Sequence, residues 1–302
     1  MIRPHAAPDP VSVGLGAPQF ALAVPDASRL VPLSAGRVFL RDHGDPHAAP
    51  PVLLLHGMLV TSHTFVRLIP ELSSERRVLA PDLPGAGDSD RPPPVLCNGY
   101  SARWLAGAIQ ELLDATGCER VDVVGHSWGA AVAVCLADAA PERVRRLVLV
   151  APTLFEMPVP IEGRLAQLPG LGPYVFKNLY RRNELRRYLG RAFSSEVLVD
   201  EVDVDIYWDR LARSGGREAA HAMLMQLMNP DAMAAMVPRM RAIVAPTLVV
   251  WGDRDQIVPR SHADRVAEAI PGAQLRWIEG CGHTPAEERP EALAALIREH
   301  LA

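Results

Sequence analysis

The pentapeptide Gly125-His126-Ser127-Trp128-Gly129 holds the residues of this chain whose types and spacing most directly suggest chemistry. A short β-branched run, Val121-Asp122-Val123-Val124, precedes it, and an apolar, helix-compatible run, Ala130-Ala131-Val132-Ala133-Val134-Cys135-Leu136-Ala137, follows. A G-x-S-x-G pattern between a strand and a helix is a nucleophile elbow. The turn is tight enough that its flanking positions call for glycine, because a Cβ there would collide with the neighbouring strand or helix. The turn lifts the serine hydroxyl clear of the sheet, and the helix start aims free N–H groups at the same point. The implied chemistry is nucleophilic attack by serine beside an oxyanion site. Because the pattern also arises by chance, its context has to decide.

The surrounding elements supply that context. Arg29 to Leu33 and Arg37 to Arg41 read as strands joined by a turn at Ser34-Ala35-Gly36. Val52-Leu53-Leu54-Leu55 is a continuous apolar strand, as expected when both faces are buried. Further strands are expected at Arg77 to Ala80, Val144 to Val150, Thr247 to Trp251 and Gln274 to Ile278. Helices are expected over Ser62 to Leu72, Ser101 to Ala115, Ser261 to Ala269 and Pro285 to about His300, with Ser101 as an N-cap. Strands alternating with helices on both sides of the elbow predict an α/β fold, a mostly parallel sheet covered on both faces with active residues at the carboxyl ends of its strands. Residues 152–244 break the pattern. Helical stretches at Asn183 to Phe193, Ser195 to Ala212, Arg217 to Met228 and Asp231 to Met236 predict a helical cap inserted after the strand at 144–150. The expected organisation is an extension at 1–27, a core from 28–151 and 245–302, and the cap between the two core segments.

Composition narrows the function classes. The 302 residues suffice for a large core, and 49% of them are apolar, so the bulk of the chain is not disordered. Thirty-one basic against 35 acidic residues give a net charge of −4, which points away from nucleic acid as a partner. No apolar run reaches the length of a membrane span. Cys97, Cys118, Cys135 and Cys281 have neither C-x-x-C spacing nor a pattern of pairs, so no metal site and a reducing, cytoplasmic setting are expected. Residues 1–27 read as a loose Pro/Ala/Gly-rich arm, although Ala21-Leu22-Ala23 faintly resembles a leader cleavage site.

The elbow, the order of strands and the helical insertion together resemble the α/β-hydrolase superfamily, in particular its cap-bearing branch, over residues 30 to 301. The resemblance assigns further residues. His56-Gly57-Met58 matches the H-G pair that opens the oxyanion loop, so the N–H groups of Met58 and Trp128 are the expected oxyanion donors. Asp82-Leu83-Pro84-Gly85-Ala86-Gly87-Asp88-Ser89 matches a D-x-x-G-x-G-x-S stretch with a conformational role, and it lacks the third glycine and the lysine of phosphate loops. In Asp253-Arg254-Asp255-Gln256-Ile257-Val258-Pro259, Asp255 stands in the register of the family's triad acid, which leaves Asp253 to cap the loop or pair with an arginine. In Gly280-Cys281-Gly282-His283, His283 matches the base. Ser127, Asp255 and His283 also follow the chain order of this fold. His56 and His126 are read as structural.

What the resemblance implies is a cofactor-free serine hydrolase. Serine at 127, where epoxide hydrolases and haloalkane dehalogenases need a carboxylate, sets those chemistries aside. His56-Gly57-Met58-Leu59-Val60 departs from the H-G-G-P-G loop of prolyl aminopeptidases. His126 and Met58 depart from the asparagine and the small residues usual in C–C-bond hydrolases. The expected substrate is a small or medium carboxylic ester. A thioesterase or acyltransferase/cyclase with an acyl-carrier partner is the alternative, suggested by the basic run Lys177, Arg181, Arg182, Arg186, Arg187 and Arg191, which otherwise reads as a solvated helix face. A ligand receptor that kept the fold is a third reading. Six of the nine methionines fall between Met223 and Met240, either packing the cap or lining an adaptable pocket.

Overall fold

A computed structural model describes residues 28–47, 49–157, 166–194 and 197–302. The N-terminal arm expected at 1–27 and Ser195 lie outside them, and the helix expected from Ser195 begins only at Glu201, where the Asp200 side chain caps it. Eight strands form one sheet: β1 (Arg29–Leu33), β2 (Gly36–His43), β3 (Ala49–Leu55), β4 (Arg76–Pro81), β5 (Val121–His126), β6 (Val144–Val150), β7 (Thr247–Gly252) and β8 (Gln274–Ile278). Their order is β1-β2-β4-β3-β5-β6-β7-β8. β2 pairs antiparallel with both β1 and β4, and all other pairings are parallel. From β3 the chain crosses to β4 on one side and then to β5 on the other. A crevice therefore opens beyond the carboxyl ends of β3 and β5, where α/β sheets bind ligands.

The central strands are apolar because helices cover both faces. Val52 to Leu55, Val123, Val124 and Leu147 to Leu149 have no solvent exposure. One layer sets α2 (Ala102–Ala115) and α3 (Trp128–Ala139) against Leu53, Leu55, Val123 and Leu149. The other packs Leu68, Leu72, Ile297 and Leu301 on Leu54, Val124 and Val148. Burial on this scale dominates the stability of such a domain.

Three further local expectations are corrected. Ser62 to Leu72 is not one helix but a 3₁₀ turn, Ser62–Phe65, followed by α1, Ile69–Ser73. Pro70 fits only a first turn, so the helix must start beside it. The last helix is split for the same reason: Pro285–Glu288 ends at Arg289, and Pro290–Leu301 begins anew. Leu171–Leu179 forms a helix that the sequence pattern does not reveal. Gly172 and Pro173 look like breakers there, but both sit in its first turn. Gly172 is also needed, since a Cβ would lie 2.0 Å from the Ala166 carbonyl.

Between β6 and β7 the described residues contain no strand. The helices there are Leu171–Leu179, Arg182–Ala192, Glu201–Ala212, Gly216–Leu227, Pro230–Ala234 and Met236–Ala242. Met223, Met233, Met236 and Met240 are buried in the main core, so four of the six methionines of the cluster pack this insertion down; Met228 instead lines the cavity described below. No helix among the described residues is long and apolar enough to cross a membrane.

Candidate active site

β5 ends at His126, and α3 begins at Trp128, with Ser127 the single residue between them. Ser127 has φ 53° and ψ −115°, a backbone conformation costly for any residue with a side chain and kept only where the surroundings enforce it. Its N–H donates to the Val150 carbonyl at 2.9 Å, which fastens the turn to β6. Both flanking glycines are sterically required. A Cβ on Gly125 would lie 2.7 Å from the Ala130 Cα, and one on Gly129 would lie 2.2 Å from the Leu55 carbonyl oxygen. Helix and strand close on the turn from opposite sides.

Asp255 and His283 are brought together. Nδ1 of His283 donates to Oδ2 of Asp255 at 2.9 Å, and both side chains are almost fully buried. Oδ1 of Asp255 accepts the N–H groups of Ile257 at 2.8 Å and Val258 at 3.0 Å. Burial alone would raise the Asp255 pKa. The neighbouring imidazole and these amides outweigh it, and the carboxyl is held below its ordinary value. With Nδ1 as donor, Nε2 is the acceptor, and among the described residues it has no hydrogen-bond partner. Ser127 and His283 are thus not hydrogen-bonded to each other. Asp253 takes a different place, accepting the Cys281 N–H at 3.3 Å and lying 3.7 Å from Arg254.

The other motifs form scaffolding. His56 Nδ1 donates to the Gly57 carbonyl at 2.7 Å, and its Nε2 accepts the Leu83 N–H at 2.9 Å, joining the loop after β3 to the loop after β4. Asp82 receives the N–H groups of Ser62 and Asp88, each at 2.7 Å. Met58 sits on that anchored loop, and its N–H, like that of Trp128 at the helix start, is bonded to no other group among the described residues. His126 is buried, and burial first and the His283 ring second push its pKa down to about 3. Its neutral ring donates through Nε2 to the His283 carbonyl at 2.8 Å, with the two rings 5.0 Å apart. The sequence shows His126 as a structural residue but not that it grips the backbone of His283. Cys281 is buried, and its thiol is pushed up by that burial, consistent with packing rather than redox chemistry.

Ser127 opens onto a cavity of about 600 Å³. The core lines it with Met58, Leu59, Trp128 and Ile257, and the insertion with Val175, Phe176, Tyr188 and Leu224 among others. Arg187 and Arg191 border the same space. The rest of the basic run is mostly ion-paired on the surface: Arg182 with Glu201 and Asp205, Arg186 with Glu201, and Lys177 with Glu218.

A family model described as alpha/beta hydrolase fold matches residues 50–290. The 2-hydroxymuconate semialdehyde hydrolase of Pseudomonas sp. (strain CF600) is 34% identical over 284 residues, covering 92% of this chain and 95% of the relative. The 2-hydroxy-6-oxononadienedioate/2-hydroxy-6-oxononatrienedioate hydrolase of Paraburkholderia xenovorans (strain LB400) is 31% identical, covering 88% and 92%. Among solved structures, the meta-cleavage product hydrolase CumD of Pseudomonas fluorescens IP01 superposes with a TM-score of 0.74 at 25% identity, covering 90% of this chain and 97% of CumD.

Proposed function

The chain belongs to the alpha/beta hydrolase fold family, and on that premise we propose that it hydrolyses a carbonyl substrate through an acyl-enzyme on Ser127. One observation carries this reading: a serine held at a strained elbow opens onto an apolar cavity, with an Asp255-paired imidazole whose Nε2 is free to accept a proton. A serine hydroxyl is a weak nucleophile until a base takes its proton. His283 is that base, and Asp255 holds the ring in the required tautomer and stabilises the imidazolium. Attack places negative charge on the carbonyl oxygen, opposite the amides of Met58 and Trp128. Preorganised donors of this kind contribute roughly 3 kcal/mol each. Collapse expels the leaving group with the proton from His283, and water activated by the same imidazole releases the acid.

The bond we assign is an ester of a small or medium carboxylic acid, whose acyl part suits the apolar wall of Met58, Leu59, Val175, Phe176 and Leu224. A second reading draws on the relatives. A semialdehyde of a hydroxymuconate, as the name gives it, holds no ester linkage, so its hydrolysis breaks a carbon–carbon bond. Arg187 and Arg191 at the cavity border would suit the carboxylate of such an acid. Set against 34% identity over nearly the whole length, the departures at His126 and Met58 do not suffice to set C–C hydrolysis aside.

The test is intact-mass detection of a fluorophosphonate adduct, with Ser127→Ala alongside, followed by turnover of aryl esters and of 2-hydroxymuconate semialdehyde. One adduct, lost in the variant, supports an activated Ser127; none on folded protein overturns the proposal. Faster turnover of the semialdehyde than of every ester would replace the first reading with the second.

A further inference from the structure

His283 lies in a loop, Gly280 to Thr284, with no strand or helix of its own to fix it. Its ring must nevertheless be held in place against Ser127 on one side and Asp255 on the other. The side chain that spans this loop is Glu288, five residues on, in the short helix Pro285–Glu288. Its carboxylate is buried and accepts the Gly282 N–H at 3.0 and 3.1 Å, the Thr284 N–H at 3.4 Å and the Thr284 hydroxyl at 3.1 Å. The amides on both sides of His283 are thus tied to one carboxylate.

The same carboxylate reaches into the helical insertion. Oε2 of Glu288 accepts the Ser194 N–H at 2.8 Å, just past the end of the helix Arg182–Ala192. The N–H of His283 itself donates to the Ala192 carbonyl at 2.6 Å. The two segments touch so closely that a Cβ on Gly282 would lie 2.5 Å from the Ala192 oxygen and 2.6 Å from the Ser194 nitrogen. Together with the His126 ring on the His283 carbonyl, these bonds account for both backbone polar groups of the base and for the amides flanking it. Glu288 does not border the substrate cavity.

We infer that Glu288 is the positioning residue of His283, and that through it residues 192–194 of the insertion form part of the mount of the base. This rests on the roles proposed above for Ser127 and His283. A carboxylate suits the task because three amides and a hydroxyl converge on it; all four are donors, and buried donors left without a partner are costly. Losing the carboxylate frees Gly282 and Thr284 to turn. A shift of the base by 1 Å costs a rate factor of about 100. The insertion is on this account more than a cover for the cavity, because seating it completes the hydrogen bonding of the base loop.

The experiment follows fluorophosphonate labelling rates and ester kinetics in wild type, Glu288→Ala, Glu288→Gln, His283→Ala and the Glu288→Ala/His283→Ala double variant. Labelling of Ser127 in the wild type comes first, since its failure would remove the proposed function and not this inference alone. Given labelling, Glu288→Ala is expected to lower kcat and the labelling rate by about 100-fold with KM unchanged within about twofold, because the misplaced base lies outside the binding surface. Glu288→Gln keeps one carbonyl acceptor and is expected to recover part of the loss. The double variant is expected to be no slower than His283→Ala, because Glu288 acts only through His283. Should the alanine variant fail to fold, Glu288→Gln and its double with His283→Ala make the same comparison. Wild-type rates in both Glu288 variants, a KM change as large as the kcat change, or losses that multiply in the double would each overturn the inference.

Discussion

At the elbow, a methyl group on Gly129 would meet the Leu55 carbonyl at 2.2 Å, whereas on the insertion Arg182 and Arg186 share Glu201 at the solvent-facing surface. The first region is fixed by backbone pressed against backbone, and such contacts admit one arrangement. The second is held by a modest cluster, including Leu185, Leu189, Val204 and Tyr207, and by surface ion pairs that each contribute little. The difference separates two jobs. Groups that must meet within a fraction of an ångström stand on the sheet or are tied to it. The groups that border the cavity from the insertion, Arg187 and Arg191 among them, stand on helices outside the sheet.

The sharpest way to break this comparison is to remove the groups of the rigid region one at a time. Ser127→Ala and His283→Ala are expected to lose similar factors in kcat, on the order of 10⁶, because the two act as one unit. Asp255→Asn is expected to cost about 10⁴ by favouring the wrong tautomer. Asp253→Asn, which disturbs a 3.3 Å bond to the Cys281 amide and an exposed 3.7 Å pairing with Arg254, should stay near wild type. Steady-state kinetics on the best ester or semialdehyde decides it. A larger loss at Asp253 than at Asp255 would reassign the acid.

Gly129→Ala probes the same rigidity without touching a reacting group. The new methyl faces the Leu55 and His56 carbonyls, at 2.2 and 2.6 Å, and neither can swing away as a side-chain tip could. A destabilisation of about 3 kcal/mol is expected in urea unfolding, together with loss of labelling at Ser127. Gly190→Ala on the insertion, where a Cβ would meet nothing within 4 Å, should leave stability unchanged or slightly raised. Equal effects at the two glycines would abolish the contrast between the regions.

The seam between the regions has its own sensitivity. Glu287 is buried there, accepting the Thr64 hydroxyl from the core at 2.5 Å and the Tyr207 hydroxyl from the insertion at 3.2 Å. Burial pushes its pKa from an ordinary 4.5 up to about 7. Between those two pH values the folded protein keeps a proton that the unfolded chain has released. Stability from this group is therefore full below about pH 4.5, falls as pH rises through about 7, and then levels off. The shift corresponds to at most roughly 3 kcal/mol. His126, held neutral by its depressed pKa, works in the opposite sense, weakening the fold as pH falls below its unfolded value. Subtracting urea midpoints of Glu287→Gln from wild type at pH 5 and pH 8 isolates the first effect. The glutamine variant should gain relative to wild type at pH 8, and no change between the two pH values would show Glu287 to be ionised throughout.

How much of this could be read from sequence divides along the same line. The elbow and its two glycines were legible because they follow the β-branched run of β5 and precede an apolar helix, and a tight turn there leaves few residue choices. Asp255 and His283 are assigned through the resemblance to the α/β-hydrolase superfamily, and the structure brings their side chains to 2.9 Å. The family's D-x-x-V-P register favours Asp255 over Asp253, and in the structure Asp255 meets His283 while Asp253 meets the Cys281 amide. Glu287 and Glu288 were not: acidic residues in a first helical turn are ordinary, since they complement the helix dipole, and nothing local shows that they point inward. The helix Leu171–Leu179 was hidden by Gly172 and Pro173, whose breaker character disappears in a first turn. His126 could be read as structural, but its hold on the His283 carbonyl spans 157 positions and leaves no local signature.

The smallest effect is expected where the insertion meets the substrate. Arg187 and Arg191 border the cavity, while the ion pair of Asp255 is with His283. Arg187 is largely exposed and lies 3.6 Å from Glu184, itself on the cavity wall, so water and a carboxylate already compete for its charge. Replacing either arginine by alanine is expected to raise KM about fivefold for a substrate with a remote carboxylate, a partly solvated charge-assisted bond being at the low end of its range. A neutral ester of the same length should show no change in KM, and kcat should hold for both. Steady-state kinetics on such a matched pair reads the two directly. If kcat fell for both substrates while KM stayed constant, the arginines would be acting on the base rather than on the ligand. The insertion would then belong energetically with the rigid region, and the division drawn here would have to be moved to its outer surface.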